Sequence, residues 1–404
     1  MQSGGGLGFE TEWGVNSLAL ILAVISLLTW VVLTFLRGAF WQLLAFDDDI
    51  SKQESLARWP QVVTIVPARN EAETIARTVV SLVKQDYPGE LRVVVVDDHS
   101  EDGTGALARE AAEKAGASER VLILRGAALE RGWTGKLLAM QQGVESGVAR
   151  ETDYFWFTDA DIEHAPDTLR RVVQRAERDK LDLVSLMVLS QVNSLQERLM
   201  IPPFLYFFLK LYPPSWIANR KRKTAGAAGG CILLKRGALE RIGGLAAIRG
   251  EVIDDCTLAL AVKRTGGGLW MGLTRKSVSL RMYSSFTDIQ DLIARTAFTQ
   301  LGYSSLLLAG TLLGMAVTYL LPVVFTFSAQ PVVWRLGLAA WALMAITYSP
   351  TVRFYKLSPL WAAALPLAAA FYTYATWLSA VRYWLGHGAQ WKGRSQAPVK
   401  SSVD

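Results

Sequence analysis

The sequence predicts an α/β domain on a mainly parallel sheet, carried between transmembrane helices, and three observations predict it. First, 51% of the 404 residues are hydrophobic and only 19% are charged. With a positive mean hydropathy, that is too apolar for an ordinary soluble protein. Second, the apolar excess lies at the two ends. Residues 17–36 carry no charge over about the length of a bilayer crossing. Residues 296–334, 336–352 and 357–381 are equally free of charge. Third, the stretch between them is charged, punctuated by glycine, and alternates strand-like with helix-like segments.

The expected organisation is an N-terminal anchor and linker over 1–57, with its span at about 17–36. An α/β domain follows over 58–295, then about three transmembrane helices over 296–385 and a polar tail over 386–404. A cleaved signal peptide is the rival for the first span. Glu10 and Glu12 precede it with no Lys or Arg, and the apolar run exceeds a usual signal core, so a retained anchor is expected. Arg37, Lys52 and Arg58 follow it, which puts the α/β domain in the cytoplasm; the acidic Asp47-Asp48-Asp49 weighs little. Arg353 and Lys356 agree, whereas Lys392, Arg394 and Lys400 in the tail conflict unless residues 359–366 re-enter. The net charge of +6 suits anionic headgroups. Cys231 and Cys256 alone make no disulfide framework. His99, His164 and His387 lack zinc-site spacing.

Along the α/β domain, residues 61–67 form a β-rich run ending at Pro67, and a polar turn enters a helix near Glu73. Tyr87-Pro88-Gly89 breaks that helix. Residues 91–96 form a second buried strand closed by Asp97-Asp98, Asp102-Gly103-Thr104 opens the next helix, and residues 121–124 form a third strand. Strand–helix–strand alternation at this spacing argues a parallel sheet. Ligands bind beyond the carboxyl ends of such strands, where Asp97 and Asp98 can accept from a base or ribose. Gly132-Trp133-Thr134-Gly135-Lys136 precedes a helix running to about Val148. Lys136 there can meet a diphosphate together with the helix dipole, although the same pattern also fits an ordinary helix start.

Residues 154–157 are aromatic throughout and read as a strand buried on both faces. Asp159 and Asp161 follow. If the strand continues, their spacing points both carboxylates to one side, which suits a divalent cation that also holds phosphate oxygens. Taken alone, Asp-x-Asp is more often a turn or a helix cap. After a helix to about Lys180 and a strand at 183–189, residues 194–219 hold Pro202, Pro203, Pro213 and Pro214, with the basic run Arg220-Lys221-Arg222-Lys223 behind them. Prolines disfavour a regular span, so the segment at about 194–223 reads as interfacial helices. Glycines at 226, 229 and 230 let a backbone approach a ligand closely, and a strand follows at 232–234. Asp254 and Asp255 then stand at a helix start. Dipole stabilisation alone accounts for acids there, but a carboxylate apart from the metal pair is what a metal-assisted transferase needs as its base.

Taken in order, these segments resemble family 2 glycosyltransferases with the GT-A nucleotide-sugar fold and its mixed, mainly parallel sheet. The carriers are residues 67–71, 96–100 with Asp102-Gly103-Thr104, Gly135-Lys136, Asp159-Ala160-Asp161, residues 226–231, and Asp254-Asp255 with Leu258. The resemblance implies that Pro67, Ala68, Glu71 and Asp98 line a uridine pocket, with Asp97 beside them. It implies that Lys136 lies near the diphosphate of a UDP-sugar and that Asp161, with Asp159, ligates Mn²⁺ or Mg²⁺. Asp255, next to Asp254, matches the catalytic base. Residues 131–136, 157–162 and 295–301 are similar to bacterial hopanoid-associated glycosyltransferases. The Gln-x-x-Arg-Trp of processive synthases is missing at 295–300, so one transfer to a lipid acceptor in the bacterial inner membrane is implied, with no nucleic-acid partner. A polysaccharide synthase and a non-catalytic membrane scaffold are the rivals.

Overall fold

The computed structural model describes residues 7–47, 56–386, 390–391 and 394–395. Asp48, Asp49, Lys52, His387, Lys392 and Lys400 lie outside the described residues. Two compact units divide the chain. A helical unit is built from residues up to Leu43, Val192–Leu211 and Tyr283–Leu385, and an α/β unit from Leu44–Gln191 and Tyr212–Met282.

The α/β unit is organised by one eight-stranded sheet. Its strands are β1 (Val62–Ala68), β2 (Leu91–Asp97), β3 (Val121–Arg125), β4 (Tyr154–Phe157), β5 (Ile162–Glu163), β6 (Leu183–Leu189), β7 (Ile232–Lys235) and β8 (Leu269–Ser279). Their spatial order is β3-β2-β1-β4-β7-β6-β8-β5. β3, β2, β1 and β4 run parallel, as does the β6–β8 pair; β7 lies antiparallel to both β4 and β6, and β5 antiparallel to β8. The sheet is thus mixed and mainly parallel, as the sequence predicts. β1 and β4 are buried at every residue, which is why they read as unbroken apolar runs. β8 was not foreseen, because Thr274, Arg275 and Lys276 interrupt its apolar pattern.

Helices that flank this sheet include α1 (Ile75–Val83), α2 (Thr104–Lys114), α3 (Gly135–Glu145), α4 (Thr168–Arg178), α5 (Arg236–Arg241) and α6 (Asp254–Arg264). α1 buries Ile75, Val79 and Leu82, and α4 buries Leu169, Val172, Val173 and Ala176, the spacing of a helix with one apolar face. These side chains join Trp156, Val66 and Leu186 in the main core. α6 begins at Asp254, so both acids lie in its first turn. Asp47 is fully buried and pairs with Arg171 at 2.8 Å, which also holds Asp167 at 2.7 Å.

Among the described residues of the helical unit, four helices are long and apolar enough to cross a membrane: Ser17–Phe35, Ser305–Thr326, Pro331–Phe354 and Pro359–Trp384. The third to be met, at 331–354, keeps its helix through Pro350. A π-turn at Ala316–Leu320 interrupts the second. Wider turns displace backbone carbonyls from the helical ladder, and two accept from the first span: Thr318 O takes the Trp30 indole N–H at 2.7 Å, and Val317 O takes the Ser26 hydroxyl. The proline-bearing segment is helical, as expected, but is not broken at its first two prolines. Leu195–Leu211 is one continuous helix with Pro202 and Pro203 inside it. The prolines remove two ladder donors, yet the helix is buried on Met200, Ile201, Leu205, Tyr206 and Leu209. The Tyr372 hydroxyl reaches the Met200 carbonyl at 2.8 Å and Tyr206 meets Thr347 at 2.9 Å, so tertiary packing outweighs the local cost.

Candidate active site

The carboxyl ends of β1 and β2 carry two loops that interlock. Asn70 and His99 both sit at positive φ, 51° and 53°, a conformation that Asn and His adopt more readily than most residues. The Asn70 N–H donates to Ser100 Oγ (3.0 Å), and the Glu101 N–H returns to Asn70 Oδ1 (3.0 Å). The Glu71 N–H donates to Thr104 Oγ1 (2.8 Å), and Ala72 N–H to Asp102 Oδ2 (3.0 Å). Asp97 Oδ1 accepts from the Ser100 N–H at 2.9 Å. A Cβ on Gly105 would stand 2.5 Å from Asp97 Oδ2. Asp98 is buried against Arg69, whose guanidinium lies 3.8 Å from Oδ2 and donates to the Asp98 carbonyl at 2.5 Å. The Asp-Asp-His-Ser-x-Asp-Gly-Thr run therefore builds the rim of the sheet edge. Pro67 and Ala68 close β1 beneath it.

Asp159 and Asp161 are displaced from where the sequence put them. β4 ends at Phe157, and the two acids lie in the turn that joins β4 to β5. Their spacing is that of a turn and not of a strand face. Hydrogen bonds hold this turn: Thr74 and Thr78 hydroxyls donate to the Ala160 carbonyl at 3.1 and 2.8 Å, and the Leu280 N–H donates to the Asp161 carbonyl at 2.7 Å.

Lys136 links this turn to α6. Thr134 caps α3, its hydroxyl accepting from the Leu137 N–H, and its own N–H donates to the Arg249 carbonyl at 2.8 Å. Lys136, one residue into the helix, reaches Asp159 Oδ1 at 2.9 Å and Asp254 Oδ2 at 3.2 Å. Asp255 accepts from the Gly229 N–H at 3.0 Å and from the Cys256 N–H at 2.7 Å. Gly229 lies among all of them: a Cβ there would stand 3.2 Å from Lys136 Nζ, 3.5 Å from Asp159 Oδ2 and 3.6 Å from Asp255 Oδ2. One ammonium thus serves three nearby carboxylates.

Residues 63–243 match the family model of glycosyl transferase family 2. Over those residues the α/β unit is similar to family 2 glycosyltransferases. Two curated proteins are similar to part of the chain. The probable glycosyltransferase YdaM of Bacillus subtilis is 36% identical over 93 residues, 22% of this chain and 22% of that protein. The beta-monoglucosyldiacylglycerol synthase of Synechocystis is 36% identical over 123 residues, 30% of this chain and 23% of that protein. The chain thus spans less than a quarter of the length of these two relatives. The mannosyltransferase PcManGT of Pyrobaculum calidifontis, solved with GDP-Man and Mn²⁺, shares the fold with a TM-score of 0.54 at 19% identity, over 88% of this chain and 98% of that one. The mixed sheet of the α/β unit is of the GT-A type.

Electrostatics separate the acids of this domain. Burial, reinforced by the Asp254 charge, raises Asp255 to about 6 against the opposing pull of Lys136. Burial works against the Lys136 ammonium, but Asp159 and Asp254 hold it above the ordinary lysine range. Among the described residues, no three His, Cys, Asp or Glu side chains converge on one point. Asp159 and Asp161 nonetheless offer hard oxygens beside an acid-rich cluster, the donor set of a cation that takes its remaining ligands from phosphate and water. The sequence-predicted residues fall into two groups: Lys136, Asp159, Asp254 and Asp255 are brought together around Gly229, whereas Pro67, Ala68, Glu71, Asp97 and Asp98 line the β1–β2 edge. Gly229 and the Thr134 cap are further participants; the glycine run was the sequence signal for the first.

Proposed function

We propose that this chain is a membrane glycosyltransferase that moves a sugar from a nucleotide-sugar, a UDP-sugar in our reading, to a lipid hydroxyl in one inverting, non-processive transfer. The observation that carries it is the Lys136 ammonium held between Asp159 and Asp254, with Asp255 raised beside it. In this reading Asp255 accepts the acceptor hydroxyl's proton as that oxygen attacks the anomeric carbon. Lys136, freed from its carboxylates when the donor enters, meets the charge developing on the departing nucleoside diphosphate. Asp161 and Asp159 would hold Mn²⁺ or Mg²⁺, which when bound supplies further charge compensation to the diphosphate. The loops after β1 and β2 would seat the nucleoside, with Glu71 and Asp98 as acceptors.

The Mn²⁺ of the mannosyltransferase complex supports a divalent cation, and its GDP-Man leaves the base of the donor to be assayed. The lipid acceptor draws on the diacylglycerol-linked name of the Synechocystis relative and on four apolar helices in this chain. A hopanoid acceptor and a cytoplasmic site at the bacterial inner membrane complete the proposal. Purified protein incubated with a panel of UDP- and GDP-sugars and a lipid extract tests it. The expected outcome is transfer from one UDP-sugar, and Asp255→Asn abolishes that transfer while donor binding persists. Full activity of the variant would sink the base assignment.

A further inference from the structure

Under the Asp159 turn lies a buried histidine that the transfer chemistry does not use. His164 is 3% exposed and packs against the Trp156 ring at 4.6 Å. Its Nε2 lies 2.9 Å from Thr158 Oγ1, and its Nδ1 lies 2.9 Å from Ser277 Oγ. Thr158 Oγ1 is also 2.9 Å from the Gly230 carbonyl. Thr168 Oγ1 stands 3.3 Å from Ser277 Oγ.

One assignment of protons satisfies every one of these groups, the Gly230 carbonyl included. A carbonyl only accepts, and a hydroxyl has one proton to give. In that assignment the Thr158 proton goes to the Gly230 carbonyl at 2.9 Å, which can only accept, and not to the Asp159 carbonyl at 3.4 Å. Nε2 must then donate to Thr158, which leaves Nδ1 to accept from Ser277, and Ser277 to accept from Thr168. Burial pushes the imidazole down to about 3, so the ring is neutral and one tautomer satisfies all its partners. The chain runs one way, from α4 through β8 and β5 to the end of β4 and the approach to β7. Its two last members are neighbours of the acids: Thr158 precedes Asp159, and Gly230 follows Gly229, whose N–H holds Asp255.

We propose that His164 is a positioning residue: as a neutral Nε2–H tautomer it locks the Asp159 turn to the Gly229–Gly230 segment and so keeps Asp159 and Asp255 in register. The inference rests on the transfer reading above. Without the imidazole, Thr158 and Ser277 lose their shared partner and the two segments relax independently. Displacements of this kind, remote from the bonds that change, cost about ten- to a hundredfold in turnover.

The full-length protein in detergent tests it, with the UDP-sugar panel as donors and a lipid extract as the acceptor source. His164→Gln and Thr158→Val are expected to lower kcat about ten- to a hundredfold with donor KM unchanged, while Thr158→Ser, which keeps the hydroxyl, retains the wild-type rate. Nitrogen-15 NMR of labelled histidine is expected to show His164 as the neutral Nε2–H form from pH 7 down to about 5. Unchanged kcat in folded His164→Gln and Thr158→Val overturns the inference, as does an Nδ1–H or cationic ring. A wild type that transfers no sugar overturns the functional reading instead, and the tautomer measurement still decides the chain.

Discussion

At the scale of single residues, the site's chemistry turns on how one buried carboxyl is charged. Asp255 ordinarily titrates at 3.8; burial and then Asp254 raise it to about 6 in the folded protein, and Lys136 opposes them. A base must be ionised to accept a proton, so kcat/KM is expected to rise with pH through about 6 and level above it. Lys136→Met removes the opposing charge and is expected to move that inflection upward; pH–rate profiles of both proteins check the direction. The same shift bears on stability. The neutral acid suits its folded surroundings better than the unfolded chain's water, so its contribution is present below 3.8 and is lost as pH rises through about 6. Asp161→Ala is expected to remove the metal-dependent part of donor binding in isothermal titration, and undiminished binding would refute that role.

At the scale of elements, α3 presents Lys136 only because it packs closely on β1. A Cβ on Gly143 would come within 2.6 Å of Ile65 Cγ2 and 3.2 Å of Cγ1, in the middle of a buried strand. Alanine is the better helix former by about 1 kcal/mol, yet overpacking costs about 1–3 kcal/mol. Gly143→Ala is therefore expected to destabilise by about 1–2 kcal/mol in denaturant unfolding of the solubilised protein. The elements also show how far sequence patterns reach. The apolar runs at β1, β2 and β4 were legible because a strand buried on both faces has no polar alternation to hide it. Helix was expected around 195–211, but its unbroken passage through Pro202 and Pro203 was not legible, because those residues argue locally against a continuity that packing imposes. The Asp159–Asp161 turn was misplaced for a similar reason. Spacing by two fits a strand face, but what ends β4 at Phe157 is the turn into β5, a pairing made with the distant β8.

At the scale of the whole molecule, the chain divides into a helical unit, with four membrane-length helices among the described residues, and an α/β unit with the candidate site. Carbonate extraction of membranes is expected to leave the protein in the pellet, as apolar helices of this length require. Mass spectrometry of membrane lipids from cells with and without the protein is expected to differ by a glycosylated lipid; identical lipid profiles count against a lipid acceptor.

The sequence by itself determined the kinds of parts: charge-free runs, buried strands, acid pairs after strands, and a glycine-flanked lysine at a helix start. Local periodicity and charge spell these out, since each depends on neighbours within a turn or a strand. Only the tertiary structure decided which parts meet. Lys136 stands between Asp159 and Asp254, and His164 spans Thr158 and Ser277. The strand order places β7 and β8 among strands from the first half of the domain. Contacts of that kind come from the burial of whole elements against one another, and no local pattern records them.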